Sequence, residues 1–167
     1  MKLILLAFLA IATISFGQNY DQWKTYVSEE GHLSVSFPEQ AAVLVEGEDG
    51  ESPKTLKYQL EGDEFVYYAA VSIHESDLKE TDEDLCQLSL DSFTQSVGGT
   101  IKNQSVWYVQ GEEGIAAKMI LSGKQVVYYK VVLKGNLQYQ LVVLGIEDSK
   151  LVADKAEQFF KTFRLTE

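Results

Sequence analysis

The segment from Gly114 to Gly145, GIAAKMILSGKQVVYYKVVLKGNLQYQLVVLG, sets the narrowest limits on what this chain can fold into. Its three apolar runs are broken only by Gly123-Lys124 and Gly135-Asn136. A glycine at the first position of a two-residue loop supplies the positive φ of a type II′ turn, whose twist matches the strands it joins. The middle run, Gln125 to Leu133, is rich in Val and Tyr, which suit a pleated surface. The segment therefore predicts a three-stranded antiparallel meander.

The remaining elements are read from periodicity and punctuation. Short strands are expected over Trp23–Val27, His32–Phe37, Ala42–Val45 and Lys54–Leu60, with longer ones over Glu64–His74 and Ile101–Val109. Along Glu64–His74, Phe65, Tyr67, Ala69, Val71 and Ile73 make one apolar face, and Val66, Tyr68 and Ala70 continue the other. A strand apolar on both faces belongs in the middle of a covered sheet. One helix is expected from an N-cap at Thr81, with Asp82, Glu83 and Asp84 in its first turn, through Val97 to a stop at Gly98-Gly99. A second spans Ser149 to Phe163, with a stripe of Val152, Ala156, Phe159, Phe160 and Phe163. The triplets Val66-Tyr67-Tyr68 and Val127-Tyr128-Tyr129 echo one another. Eight or nine mostly consecutive strands with two amphipathic helices give an α+β class: an antiparallel meander flanked by helices.

Met1 to Gly17 carries the pattern of a secretory signal peptide. Lys2 is followed by the uncharged run Leu3–Phe16, and Ser15 and Gly17 are the small residues before a cleavage point at Gln18. Residues 18–167 then form a single domain, exported to the periplasm or the exterior, without membrane insertion once the signal is removed. The net charge of −11 argues against nucleic acid and anionic membrane surfaces as partners. Cys86 is the only cysteine, so the core and not a disulfide must stabilise the domain. It shares a helix face with Leu90, Phe93 and Val97, which predicts a buried, structural thiol.

Catalytic chemistry finds little to work with. His32 and His74 stand at strand ends, where exposure is the default, and no glycine-rich phosphate motif joins a strand to a helix. Ser92 and Ser122 lack an elbow motif. No cofactor is called for. Acids gather in three segments that hairpin connectivity brings to one rim: Glu46, Glu48, Asp49 and Glu51; Asp77, Glu80, Asp82, Glu83 and Asp84; Glu112 and Glu113. Such a rim is either a solvated, solubilising surface or a weak divalent-cation site, with Glu48, Asp49, Asp77, Asp82, Asp84 and Glu112 as candidate ligands.

Two stretches carry a resemblance. Trp23-Lys24-Thr25-Tyr26 with Glu30-Gly31-His32-Leu33-Ser34-Val35-Ser36-Phe37-Pro38 opens the mature chain, and Tyr139-Gln140-Leu141-Val142-Val143-Leu144-Gly145 precedes a helix closing Phe159-Phe160-Lys161-Thr162-Phe163-Arg164-Leu165. Both resemble PsbP-like domains, a family that includes extrinsic photosystem subunits and DcrB-type periplasmic proteins. The resemblance implies an α/β/α sandwich that acts in binding or assembly and is not an enzyme, and it carries over no functional residue. The expected function is an exported, non-catalytic module acting on a protein or envelope component. The alternatives are a small-ligand or divalent-cation binder and, with least support, a hydrolase.

Overall fold

A computed structural model of the chain describes residues 23–46, 53–78 and 84–167. Within them the order is β1 Lys24–Ser28, β2 Leu33–Phe37, β3 Ala42–Glu46, β4 Lys54–Glu61, β5 Phe65–Ile73, α1 Leu85–Val97, β6 Thr100–Val109, β7 Glu112–Ile120, β8 Val126–Lys134, β9 Leu137–Gly145, α2 Lys150–Thr162 and β10 Arg164–Leu165. Seven strands form one sheet in the order β3-β4-β5-β9-β8-β7-β6, and β1-β2-β10 form a second, with antiparallel pairing throughout. The α+β class and the β7-β8-β9 meander are as expected. The small second sheet is not, and it makes ten strands where eight or nine were counted.

The turns correct the reading at two places. Lys134 pairs with Leu137 across Gly135-Asn136, and Gly135 has φ +58° while Asn136 stays out of the positive region, as a type II′ turn requires. The β7–β8 connection is longer than the two-residue loop expected. Leu121 N–H donates to Gln125 O at 2.9 Å around a short 3₁₀ turn, with Gly123 and Lys124 both at positive φ. The β6–β7 loop is instead shorter than expected. Only Gln110 and Gly111 intervene, at φ +49° and +89°, the two positive values of a type I′ turn.

The first helix also starts later than expected. Asp84 is its N-cap, accepting from Gln87 N–H at 3.0 Å, so this carboxylate lies outside the first turn. Thr81, Asp82 and Glu83 fall outside the described residues, as do the expected signal peptide and most of the Glu46–Pro53 loop. The helix closes as a Schellman motif at Gly98, with Gly99 N–H bonded back to Thr94 O at 3.0 Å.

Each face of the large sheet has its own core. On one face α2 and the small sheet bury Leu33, Val35, Phe37, Tyr67, Val71, Tyr139, Val143, Ala156, Phe159 and Phe163. Phe159 packs between Phe37 and Tyr67, with ring centroids 5.2 and 5.4 Å away. Gly145 lets α2 approach β9, since a Cβ there would lie 2.4 Å from Val152 Cγ1. On the other face α1 covers β7 and β8, burying Cys86 and Leu90 against Met119, Val127, Tyr129 and Val131. The stripe containing Cys86 therefore points inward as its spacing predicts.

The echoed Val-Tyr-Tyr triplets flank one segment of β9. Tyr67 and Tyr128 both pair with Val143, on the α2 face, and Tyr68 and Tyr129 both pair with Val142, on the α1 face. This symmetry places an aromatic pair on each side of the central strand.

The small sheet is tied down at its far end by one side chain. Gln110 Nε2 donates to Leu165 O at 2.8 Å, and Leu165 N–H donates to Gln110 Oε1 at 2.6 Å. Thr162 Oγ1 accepts from Ser36 N–H at 3.0 Å, fixing the end of α2 against β2. If Phe159 is the packing centre, Phe159→Ala lowers unfolding free energy by about 3–5 kcal/mol, as truncation of a buried Phe does. Urea denaturation followed by tryptophan fluorescence measures this, and an unchanged midpoint would show that α2 and the small sheet do not share one core.

Candidate functional site

The sheet has two edges, and they differ. β3 is five residues long, whereas β6 is ten, and most of its side chains are exposed. Among the described residues β6 pairs with β7 on one side only. In a two-residue hairpin the residues flanking the loop exchange both backbone bonds, here Val109 and Glu112. By alternation Trp107 and Ser105 also bond inward, so Tyr108, Val106 and Gln104 aim their N–H and C=O groups away from the sheet.

Two large apolar side chains stand on that same stretch. Val106 is 56 % exposed and Tyr108 is 65 % exposed. The Tyr108 hydroxyl donates to Glu113 Oε2 at 2.9 Å, which holds the ring on the upper part of the edge. The lower part is different. The register shifts between Ile101 and Asn103, so Lys102 sits in a bulge. Bulges and edge lysines are devices that discourage strand addition. The guarded half is thus Thr100–Asn103, and the unguarded half is Gln104–Val109.

The predicted acidic rim is placed as follows. Lys54 pairs with Ile73, Ile73 with Leu137, and Lys134, Gly114 and Val109 lie at that same end of neighbouring strands. Asp77, Asp84 and Glu112 therefore belong to one end of the sheet, together with the ends of β3 and β4. Glu48, Asp49 and Asp82 lie outside the described residues. Among the described residues no three His, Cys, Asp or Glu side chains converge as metal ligands would. His32 is exposed, but His74 is half-buried, with both backbone polar groups bonded to Asn136 and its Nε2 unpartnered.

Elsewhere among the described residues the side-chain clusters serve packing. An open hollow of about 320 Å³ lies against β3 and β4, lined by Gln40, Ala42, Leu44, Gln59, Leu60 and Glu61. It contains one carboxylate and no second acid–base group. Beneath α1, Ser89 Oγ and the Tyr129 hydroxyl are 2.8 Å apart, and Gln140 Nε2 donates to Ser89 Oγ at 2.9 Å. That buried set is mutually satisfied, which favours one seating of α1 on the sheet. Burial raises the Tyr129 phenol far above its ordinary value and the Tyr139 phenol to about 12.

The feature that sequence reasoning missed is Lys130. It points from β8 into the α2 face, with Nζ 4.6 Å from the Trp107 ring centroid and 4.7 Å from that of Phe160. In β8 it alternates onto the face of Tyr128 and Val132, an unusual place for a lysine.

No family model matches the chain, and no curated protein matches it either. Solved structures do. The cyanobacterial PsbP (CyanoP) of Synechocystis superposes with a TM-score of 0.62 over 95 % of this chain and 98 % of its own, at 9 % identity. The fold is PsbP-like. A Bacteroides thetaiotaomicron protein matches at TM-score 0.43 and 11 % identity, covering 86 % of this chain and 48 % of its own. A Pseudomonas aeruginosa protein of unknown function matches at 0.44 and 8 %, covering 83 % and 91 %. Neither adds to the argument. Among the described residues no helix is long and apolar enough to cross a membrane.

The buried thiol of this PsbP-like core gives a pH test. Burial, helped by the nearby charges of Asp84 and Glu113, raises Cys86 from 9.0 to about 11. The unfolded chain releases this proton first, so the thiol's contribution to stability is complete below pH 9 and lost as pH rises through 11. The urea midpoint of Cys86→Val should therefore gain on wild type between pH 9 and 11. A constant difference across that window would show that the thiol is not buried as described.

Proposed function

We propose that this chain is an exported, non-catalytic binding or assembly module, and that its partner is a protein that adds an extended strand to the Gln104–Val109 edge of β6. The observation that carries the reading is that edge itself: outward backbone donors and acceptors beside exposed Val106 and Tyr108, next to a half that is bulged and bears a lysine. Strand addition uses main-chain hydrogen bonds for affinity and alternate side chains for specificity. Lys102 is the only charged residue in β6, although the chain as a whole carries −11, so a neutral or acidic strand meets no carboxylate on this strand. The PsbP-like fold supports a scaffold role, since its sheet and helices are occupied with packing.

Two measurements bear on the reading. Val106→Pro removes an outward N–H and leaves the β6–β7 ladder intact, so it should abolish capture of an envelope protein while leaving the urea midpoint nearly unchanged. Ser105→Pro, by contrast, removes an inward ladder bond at an exposed position and should cost about 1–3 kcal/mol. If Val106→Pro and wild type capture the same proteins from envelope extract, the edge is not the binding site. Export is tested separately: the secreted protein should begin at Gln18 on N-terminal sequencing, and a product retaining Leu3–Phe16 counts against it.

A further inference from the structure

Carboxylates border the α1 side of the β6 edge, although β6 itself has none. Gln104 Nε2 donates to Gln87 Oε1 on α1 at 2.7 Å, which fixes the Gln104 side chain on the α1 face. By alternation Val106 and Tyr108 stand on that face too, and Trp107 turns the other way, toward Lys130 and Phe163. Gln87 continues the chain of bonds: its Nε2 donates to Asp91 Oδ1 at 2.8 Å and its backbone N–H to Asp84 Oδ1 at 3.0 Å. From β7, Glu113 Oε2 accepts the Tyr108 hydroxyl at 2.9 Å. Asp84 and Glu113 both lie close enough to Cys86 to raise its thiol, so Asp84, Asp91 and Glu113 border one surface. Cations of the neighbouring elements do not answer them there. α1 contains no Lys or Arg, and Lys118, Lys130 and Lys134 of β7 and β8 alternate onto the α2 face. The one cation of β6, Lys102, sits in the bulge beyond Asn103.

We propose that the strand added at Gln104–Val109 is basic: on its α1-facing side it carries Lys or Arg opposite Tyr108 and Gln104, with an apolar residue opposite Val106. This deepens the strand-addition reading and rests on it. Directly opposed residues share a face, about 5 Å apart across the pair. A cation opposite Tyr108 therefore lies along the ring, whose face attracts it, and reaches the Glu113 carboxylate at the hydroxyl end. A cation opposite Gln104 lies beside Gln87 and Asp91. Opposite the exposed Val106, an apolar side chain covers the methyl groups. The pattern of cation, apolar residue and cation at every second position reads the same in either direction, so it holds for parallel and antiparallel addition. The net charge of −11 draws such a segment in from a distance and discourages an acidic one. A second copy of the chain does not fit the pattern, since its own β6 offers Gln104, Val106 and Tyr108 at alternate positions.

The test titrates the isotope-labelled full chain with blocked seven-residue peptides and follows backbone amides by NMR. The probes are Thr-Lys-Thr-Val-Thr-Lys-Thr and its versions with Gln or Glu in place of Lys. The Lys peptide should shift the outward amides of Gln104, Val106 and Tyr108 and bind about five-fold more tightly than the Gln peptide at low salt, as two exposed ion pairs supply. In about 0.5 M NaCl the two should come within about two-fold of each other. When Glu113→Gln is combined with Asp91→Asn, the low-salt preference should vanish while the Gln peptide binds as before. Equal binding of the Lys and Gln peptides by wild type, or tighter binding of the Glu peptide, overturns the charge pattern and leaves strand addition standing. A preference that survives in the double variant overturns it too, because those acids would not be its source. If no peptide moves the β6 amides, strand addition itself fails and the proposal with it. Shifts of the same amides on raising protein concentration alone would give the edge to a second copy and overturn the proposal.

Discussion

The α2 face of this structure depends on Phe159 being enclosed from two directions. One helix side chain touches Phe37 of the small sheet and Tyr67 of the large one, so α2 and the small sheet are held by a single apolar contact set. The reason is the large sheet, whose central strands are apolar on both faces and cannot be left wet on either. α1 covers only the β7–β8 side of one face. The other face needs more area than a thirteen-residue helix can supply, and the β1-β2-β10 sheet adds the rest. Phe163 extends the same contact toward Trp107 and Tyr139, which carries the packing across to β6.

The parts of this arrangement legible in the sequence are those set by neighbours along the chain. The β7-β8-β9 meander follows from alternation and from glycine placement, and both helices follow from their stripes. The small sheet was hidden because β10 is two residues long and pairs with a strand some hundred and thirty positions earlier. Two residues carry no periodicity. What holds them is the amide of Gln110, which completes the pairing of Leu165 from a left-handed backbone position. Nothing in the string Val109-Gln110-Gly111 announces that role beyond the positive φ that a tight hairpin demands. The late start of α1 has a similar cause. Thr81 and Asp84 are both good caps by residue type, and only the bond from Gln87 N–H to the Asp84 carboxylate identifies the cap.

The site was less legible than the fold. Of the acids, Asp77, Asp84 and Glu112 are described and share the end of the sheet that hairpin counting gives, but a shared end is a matter of strand direction, and among the described residues no three His, Cys, Asp or Glu side chains converge. Lys130 could have been found. In Val126-Val127-Tyr128-Tyr129-Lys130-Val131-Val132 both alternating faces are apolar, so a lysine on either must be buried, paired or in contact with rings. Which of these holds depends on Trp107 and Phe160, far away in sequence, and only the three-dimensional fold supplies them.

The two halves of β6 differ in how an edge strand is guarded. A sheet that had only to avoid self-association would blunt its longest edge along the whole length, by charge, bulge or cover. Here the bulge at Lys102 protects the lower half and, among the described residues, nothing comparable protects the upper half, where Val106 and Tyr108 face solvent. Tyr108 is also held by Glu113, which costs the ring some freedom before any partner arrives. Ordering a side chain in advance reduces the entropy lost on association, so a fixed ring at a bare backbone edge is worth more to binding than a mobile one. The net charge works in the same direction. At −11 the chain repels copies of itself at long range, while β6, which carries only Lys102, leaves short-range contact with another strand unopposed. Long-range repulsion between like chains thus works against a second copy adding to this edge.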